Sequence, residues 1–301
     1  MHDATQVPAT RRLAWKAQAL LVRGCFALAR SLGPRRASSL GGAILRGIGP
    51  RLPVSHVGRR NLELAFPTAS IAWREETLRL AWDNLGRSMM EMPLVATLGA
   101  TEEGPGWEVT GAEHLPKPGQ RAIMLSAHLA NWEVLPRASL LYGIVLGSLY
   151  RAPDNPYVDA EIRRMRHGSA PLPLFPKGAK GGRQALRHLS QGGVLGLLAD
   201  QKLNEGLELS FLGQPAMTAS ALAEFALRFR CPVVPVHVQR IGPCRFRVVV
   251  EPPLPHPDSG DRQADIRSLT LAANERMEAW IKARPGEWLW LHRRFPKAVY
   301  R

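Results

Sequence analysis

Two side chains able to move a proton stand five residues apart in Leu125-Ser126-Ala127-His128-Leu129-Ala130-Asn131-Trp132-Glu133, directly after the apolar run that begins at Ala122. A neutral imidazole is the natural proton acceptor near neutral pH. A carboxylate such as Glu133 can hold the ring's other nitrogen and stabilise the imidazolium. This pairing suits acyl transfer to an alcohol, in which a hydroxyl loses its proton as it attacks. The acceptor hydroxyl is then the nucleophile, so the scheme requires no serine or cysteine nucleophile, although Ser126 lies close by. An isolated HxxxxE spacing is weakly specific, because a structural histidine produces it equally well.

The elements that would position these residues follow from hydrophobic patterning. Beyond residue 107, continuous apolar runs at Ala122 to Ser126, Ile144 to Tyr150, Pro171 to Phe175, Val194 to Ala199 and Val233 to Val238 read as strands. Helical segments alternate with them at Trp132 to Tyr142, Asn155 to Arg166, Lys180 to Leu189 and Thr218 to Phe229, the last with Thr218 as N-cap. The pattern predicts an α/β fold, a mostly parallel mixed sheet flanked by helices, with Arg245 to Glu251 as an added edge strand and a helix from Ile266 to Ala283. Ligands of such sheets bind beyond the carboxyl ends of the strands, where His128 falls.

The first 60 residues hold eleven Lys or Arg and a single acid, Asp3. Trp15, Ala19, Val22, Phe26 and Ala29 can share one helical face, with Arg12, Lys16, Arg23 and Arg30 placed to snorkel. Two readings stand: a helix on an anionic bilayer, or a helix packed on the protein's own core. Residues 1–58 are expected to form this basic amphipathic helical region and 59–301 an α/β domain, with a helical lead-in to about residue 100 that includes Ile71 to Met92. The charges interrupt the apolar stretch, which argues against a clean transmembrane helix or signal peptide.

The whole chain has 301 residues, 45% of them hydrophobic, and a net charge of +15, which calls for an anionic partner. Its three cysteines, Cys25, Cys231 and Cys244, show neither disulfide nor zinc-ligand spacing. No HExxH, HxHxD or GxSxG element supports a hydrolase, and no helix-turn-helix, zinc-finger or RRM signature supports a nucleic-acid partner.

His128 to Glu133 resembles the HxGNWE-type signature of the lipid A late acyltransferases, within the lysophospholipid acyltransferase superfamily. Four further stretches are similar to the family's motifs and occur in its order: Arg60-Asn61-Leu62-Glu63-Leu64-Ala65-Phe66-Pro67, Tyr150-Arg151-Ala152-Pro153-Asp154-Asn155-Pro156, Ala199-Asp200-Gln201, and Trp288 to Phe295. The resemblance implies an O-acyltransferase moving a fatty acyl chain from acyl carrier protein to a hydroxyl of a lipid A precursor of the Kdo-lipid IVA type. It implies a His128/Glu133 acid-base mechanism without metal or bound cofactor, at the cytoplasmic face of the inner membrane, with an anionic membrane lipid as a further partner.

It also places Arg151, Asp200 and Asn131 as substrate-binding, oxyanion or supporting groups. Arg151 either contacts substrate or pairs with Asp200. Lys177, Lys180 and Arg183 meet a phosphate or the carrier protein, or form a solvated helix face. Sister enzymes acting on glycolipids, aminolipids or lysophospholipids share the histidine-acid core, so the acceptor is less defined than the reaction.

Overall fold

The computed structural model describes residues 8–167 and 172–300. Its centre is a seven-stranded sheet built from β1 (Gly106–Thr110), β2 (Ala122–Ser126), β3 (Leu146–Tyr150), β4 (Leu174–Pro176), β5 (Val194–Leu198), β8 (Val233–Gly242) and β9 (Arg245–Val250). The order is β1-β9-β8-β2-β5-β3-β4. Every neighbouring pair is parallel except β8 and β9, which are antiparallel, so β1 and β9 run against the other five strands. This is the expected mostly parallel mixed sheet. The strand expected at Pro171 to Phe175 is observed as β4, and Pro171 lies outside the described residues.

Both faces of the sheet are covered, which is why β2 reads as an unbroken apolar run rather than an alternating one. Ile123 and Leu125 enter one core, with Leu222 of α7 (Ala221–Phe229) and Ile266, Leu269 and Met277 of α8 (Arg262–Ala283). Ala122 and Met124 enter a second core on the opposite face, with Leu135 and Ala138 of α4 (Leu135–Leu140). The remaining crossovers are α5 (Pro156–His167) and α6 (Ala179–Ser190).

Several expected boundaries move for local reasons. The helix expected from Trp132 to Tyr142 is a short 3-10 turn over Trp132–Val134 followed by α4. Thr218 does not cap α7. It ends the strand Gln214–Thr218, its Oγ1 donates to the Ala216 carbonyl, and Ser220 occupies the cap position. β6 (Lys202–Phe211) and β7 (Gln214–Thr218) form an antiparallel hairpin apart from the main sheet that the sequence pattern did not announce. Asp261 caps α8 by accepting from Gln263 N and Ala264 N.

The N-terminal helix α1 (Ala9–Ile48) bends at Gly33, whose φ is 73°, followed by Pro34. Its second half crosses α3 (Ile71–Glu91) at backbone contact: a Cβ on Gly41 would lie 2.3 Å from the Gly86 carbonyl oxygen. Its first half leans on α5, where Asn155 Nδ2 donates to the Trp15 carbonyl (2.9 Å) and Arg23 pairs with Glu161 (2.6 Å). The face expected to meet a bilayer therefore meets protein, for Trp15, Ala19 and Ala29 are buried while Val22 and Phe26 are partly so. The opposite stripe is the exposed one: Leu13, Leu20 and Leu21 are 70%, 69% and 69% accessible, and Leu28 is also exposed.

Candidate active site

Parallel register assembles the centre of the site. Ser126 of β2 pairs with Leu198 of β5, so the residues two positions beyond each, His128 and Asp200, emerge side by side at the strand ends. Nδ1 of His128 lies 2.8 Å from Asp200 Oδ1, and the His128 backbone N–H donates to Asp200 Oδ2 (3.0 Å). Trp288 Nε1 donates to the same Oδ2 at 2.7 Å. Asp200 is fully buried. Burial by itself would raise its pKa, but the His128 ring, together with the hydrogen bonds from His128 and Trp288, outweighs that effect and holds the carboxyl well below the usual carboxylate range.

An ionised carboxylate only accepts, so Nδ1 carries the ring proton and Nε2 presents its lone pair. That nitrogen faces a Gln201 side-chain nitrogen at 3.4 Å. Trp132 meets the imidazole edge-on, with ring centroids 4.8 Å apart.

Glu133, expected to orient His128, pairs with another group in this structure. The 3-10 turn after Asn131 directs the Glu133 carboxylate to Arg166 of α5, whose Nε donates at 2.8 Å and whose second nitrogen completes a bidentate pair. Arg166 also lies over the Tyr150 ring, 4.6 Å from its centroid. The Tyr150 hydroxyl donates to Asp159 (2.7 Å), and burial together with that carboxylate pushes its pKa up.

The loop carrying His128 is pinned from both sides. Ala130 adopts a left-handed backbone (φ 47°), a conformation that costs a side-chain-bearing residue about 1–2 kcal/mol. Its carbonyl accepts from Asn84 Nδ2 (3.1 Å) and Ser88 Oγ (3.0 Å) of α3, and its N–H donates to the Glu287 carbonyl (3.0 Å). Leu289 N donates to the His128 carbonyl (3.1 Å), and Leu129 bridges Trp288. The Trp288 to Phe295 run, which reads as strand-like, makes only this isolated bridge and acts as a clamp on the histidine loop.

Asn131 is buried and faces the scaffold rather than open space. Its Oδ1 accepts from Glu133 N (3.2 Å) and its Nδ2 donates to Glu91 (3.0 Å), a fully buried carboxylate held bidentately by Arg240. Sequence reasoning missed Glu91, Arg240 and Arg166. Each becomes recognisable only when chain-distant elements meet, and their spacing carries no motif.

The histidine lies at a cavity of about 530 Å³ whose lining includes Met124, Leu146, Leu172 and Met165 together with Glu133, Arg137 and Arg166, with the exposed Arg151, Lys177 and Gln201 at its mouth. More of the lining is apolar than polar, which suits a ligand carrying a hydrocarbon chain. Arg151 is exposed at this mouth. Among the described residues it makes no ion pair, so the expected alternative of an Arg151–Asp200 bridge is not formed. Lys180 and Arg183 lie outside the cavity lining, exposed on α6. Among the described residues no cluster of three or more His, Cys, Asp or Glu side chains could hold a metal ion.

The histidine-carboxylate pair stands beside the chamber at the carboxyl ends of parallel strands, and comparison with known proteins gives the class. The bacterial lipid A biosynthesis acyltransferase family matches residues 8–297, and the chain belongs to that family. It is an acyltransferase acting on lipid.

The lipid A biosynthesis lauroyltransferase of Escherichia coli (strain K12) is 27% identical over 268 residues, which cover 87% of this chain and 84% of that protein. A looser likeness exists to the crystal structure of the 1-acyl-sn-glycerophosphate acyltransferase PlsC from Thermotoga maritima. It shows 14% identity and a TM-score of 0.37 across 88% of this chain and 99% of that one.

Proposed function

We propose that the enzyme transfers a fatty acyl chain from acyl carrier protein to a hydroxyl of a lipid A precursor of the Kdo-lipid IVA type. The observation carrying this reading is the His128–Asp200 pair opening on the apolar chamber. The acceptor O–H gives its proton to His128 Nε2 as its oxygen attacks the thioester carbon. The tetrahedral intermediate then collapses, and the departing thiolate takes that proton from the imidazolium, leaving an ester and the free carrier thiol. Asp200 keeps the proton on Nδ1 and balances the transient charge. Glu133 acts at one remove, fixing Arg166 and thereby the chamber wall.

Arg151 and Lys177 at the mouth suit an anionic headgroup, and Lys180 and Arg183 suit the acidic surface of a carrier protein. Residues 1–58 serve as the membrane-facing segment and 59–301 as the acyltransferase domain. No described helix is long and apolar enough to cross a membrane. The exposed Leu13, Leu20, Leu21 and Leu28, flanked by Arg12, Lys16 and Arg23, suit a helix lying on the cytoplasmic face of an anionic inner membrane.

The test is mass spectrometry of a Kdo-lipid IVA type acceptor incubated with the purified protein and acyl carrier proteins charged with a series of chain lengths. A gain of one acyl mass supports the reading. Acylation of a lysophospholipid or aminolipid instead, with the lipid A precursor unchanged, overturns the acceptor assignment.

A further inference from the structure

Ser126 is the last residue of β2, two positions before His128, and is 3% exposed. Ser126 is among the residues lining the same cavity as His128. Its backbone carbonyl accepts from Ala199 N (3.0 Å), yet its Oγ is buried without any hydrogen-bond partner. Three hydroxyls near the site are engaged: Ser88 donates to the Ala130 carbonyl, Ser38 to Glu91 and Tyr150 to Asp159. A buried hydroxyl without a partner destabilises a fold, and one at the wall of a cavity beside a proton acceptor invites a ligand atom to satisfy it.

Strand register narrows what that atom can be. Ser126 pairs with Leu198 in one row across the sheet, and the next row inward, Met124, Gly196 and Ser148, carries a single polar side chain. A hydrocarbon chain occupying the inner row brings its polar head to the level of Ser126 and His128. In a thioester, the polar atom attached to the head of the chain is the carbonyl oxygen.

Resting on the acyltransferase reading above, we propose that Ser126 is a catalytic residue whose hydroxyl donates to the thioester carbonyl oxygen and stabilises the oxyanion formed as the acceptor attacks. His128 and Ser126 then divide the work. The imidazole takes the acceptor's proton while the serine O–H, which keeps its own proton throughout, receives the negative charge that develops on oxygen. Ser126 is not acylated, and the bond that forms joins the acceptor oxygen to the acyl carbon.

The test compares Ser126→Ala, Ser126→Thr and wild type in steady-state transfer from acyl carrier protein, with thermal unfolding of each. Loss of one oxyanion donor lowers kcat about a hundredfold with little change in KM for the donor. Ser126→Thr, which keeps the hydroxyl, recovers most of that loss. Because the alanine variant removes a buried unpaired hydroxyl, its Tm equals or exceeds that of wild type, so activity and stability move in opposite directions.

Wild-type kcat in Ser126→Ala shows that the hydroxyl meets only water and overturns the proposal. A fall in kcat accompanied by a lower Tm marks a structural role and overturns it too, as does a kinetically competent acyl adduct on Ser126 when donor is supplied alone. Failure of the underlying reading looks different, since wild type itself then transfers nothing.

Discussion

Asp200→Asn tests which carboxylate governs His128, with Glu133→Gln as its counterpart. Asp200 Oδ2 receives two N–H donors, from the His128 backbone and the Trp288 indole, while Oδ1 faces the imidazole. An asparagine satisfies the two donors by placing its carbonyl oxygen where Oδ2 lies. Its NH2 group then points at Nδ1 and donates to it, which forces the ring proton onto Nε2, the nitrogen that must accept. The same tautomer inversion in a serine-protease triad costs about 10⁴ in kcat, so the expected loss here is about 10³ to 10⁴.

Glu133→Gln leaves this arrangement untouched. It keeps an acceptor for Arg166 but removes the charge of the pair, for a loss of about tenfold, equivalent to about 1.4 kcal/mol. Initial rates of acyl transfer measured by mass spectrometry, with circular dichroism to confirm the fold, separate the two variants. Equal losses, or a larger loss in Glu133→Gln than in Asp200→Asn, would refute the assignment of Asp200 as the orienting group.

Replacing Leu20 and Leu21 together by Ser removes two of the most exposed apolar side chains of α1 without touching the face that meets α5. At about 1.5 kcal/mol per leucine, sedimentation with vesicles rich in anionic lipid should weaken about a hundredfold, while Val22→Ser lowers Tm instead; unchanged vesicle binding would contradict the exposed stripe as the docking face. Burial, with Arg284 and Arg276 nearby, lowers the His237 pKa to about 4, whereas the unfolded chain titrates near 6.5. The unfolded state therefore binds the extra proton in that window, so stability is complete above about pH 6.5 and falls as pH drops towards 4, by up to about 3 kcal/mol. Denaturant titrations across this range should show the slope in wild type and a flatter curve in His237→Phe; parallel curves would exclude His237 as its source.

The sequence made the strand ends legible and left the partnership between them hidden. Ala122 to Ser126 and Val194 to Leu198 are both continuous apolar runs, each followed two residues later by a chemically active side chain. That these strands are neighbours is a matter of sheet order, since β3 and β4 intervene in sequence but lie beyond β5 in the sheet. Nearness in the chain favoured Glu133 as the partner of His128, yet a tight turn after a left-handed Ala130 sends it to Arg166.

The orientation of α1 was ambiguous for another reason. Trp15, Ala19, Val22, Phe26 and Ala29 form one apolar stripe and Leu13, Ala17, Leu20, Leu21 and Leu28 another, so helical periodicity alone could not choose which one faces protein. The close crossing at Gly41 and Gly86 and the contacts to α5 decide it.

The proposed mechanism depends above all on His128 as the group that takes the acceptor's proton. Single-turnover transfer from acyl carrier protein to the lipid A precursor, followed by mass spectrometry in wild type and His128→Gln at matched circular dichroism, addresses this directly. The account predicts one added acyl mass with wild type and a rate at least about a thousandfold lower in the variant. Transfer by a folded His128→Gln protein at a rate near that of wild type would contradict it.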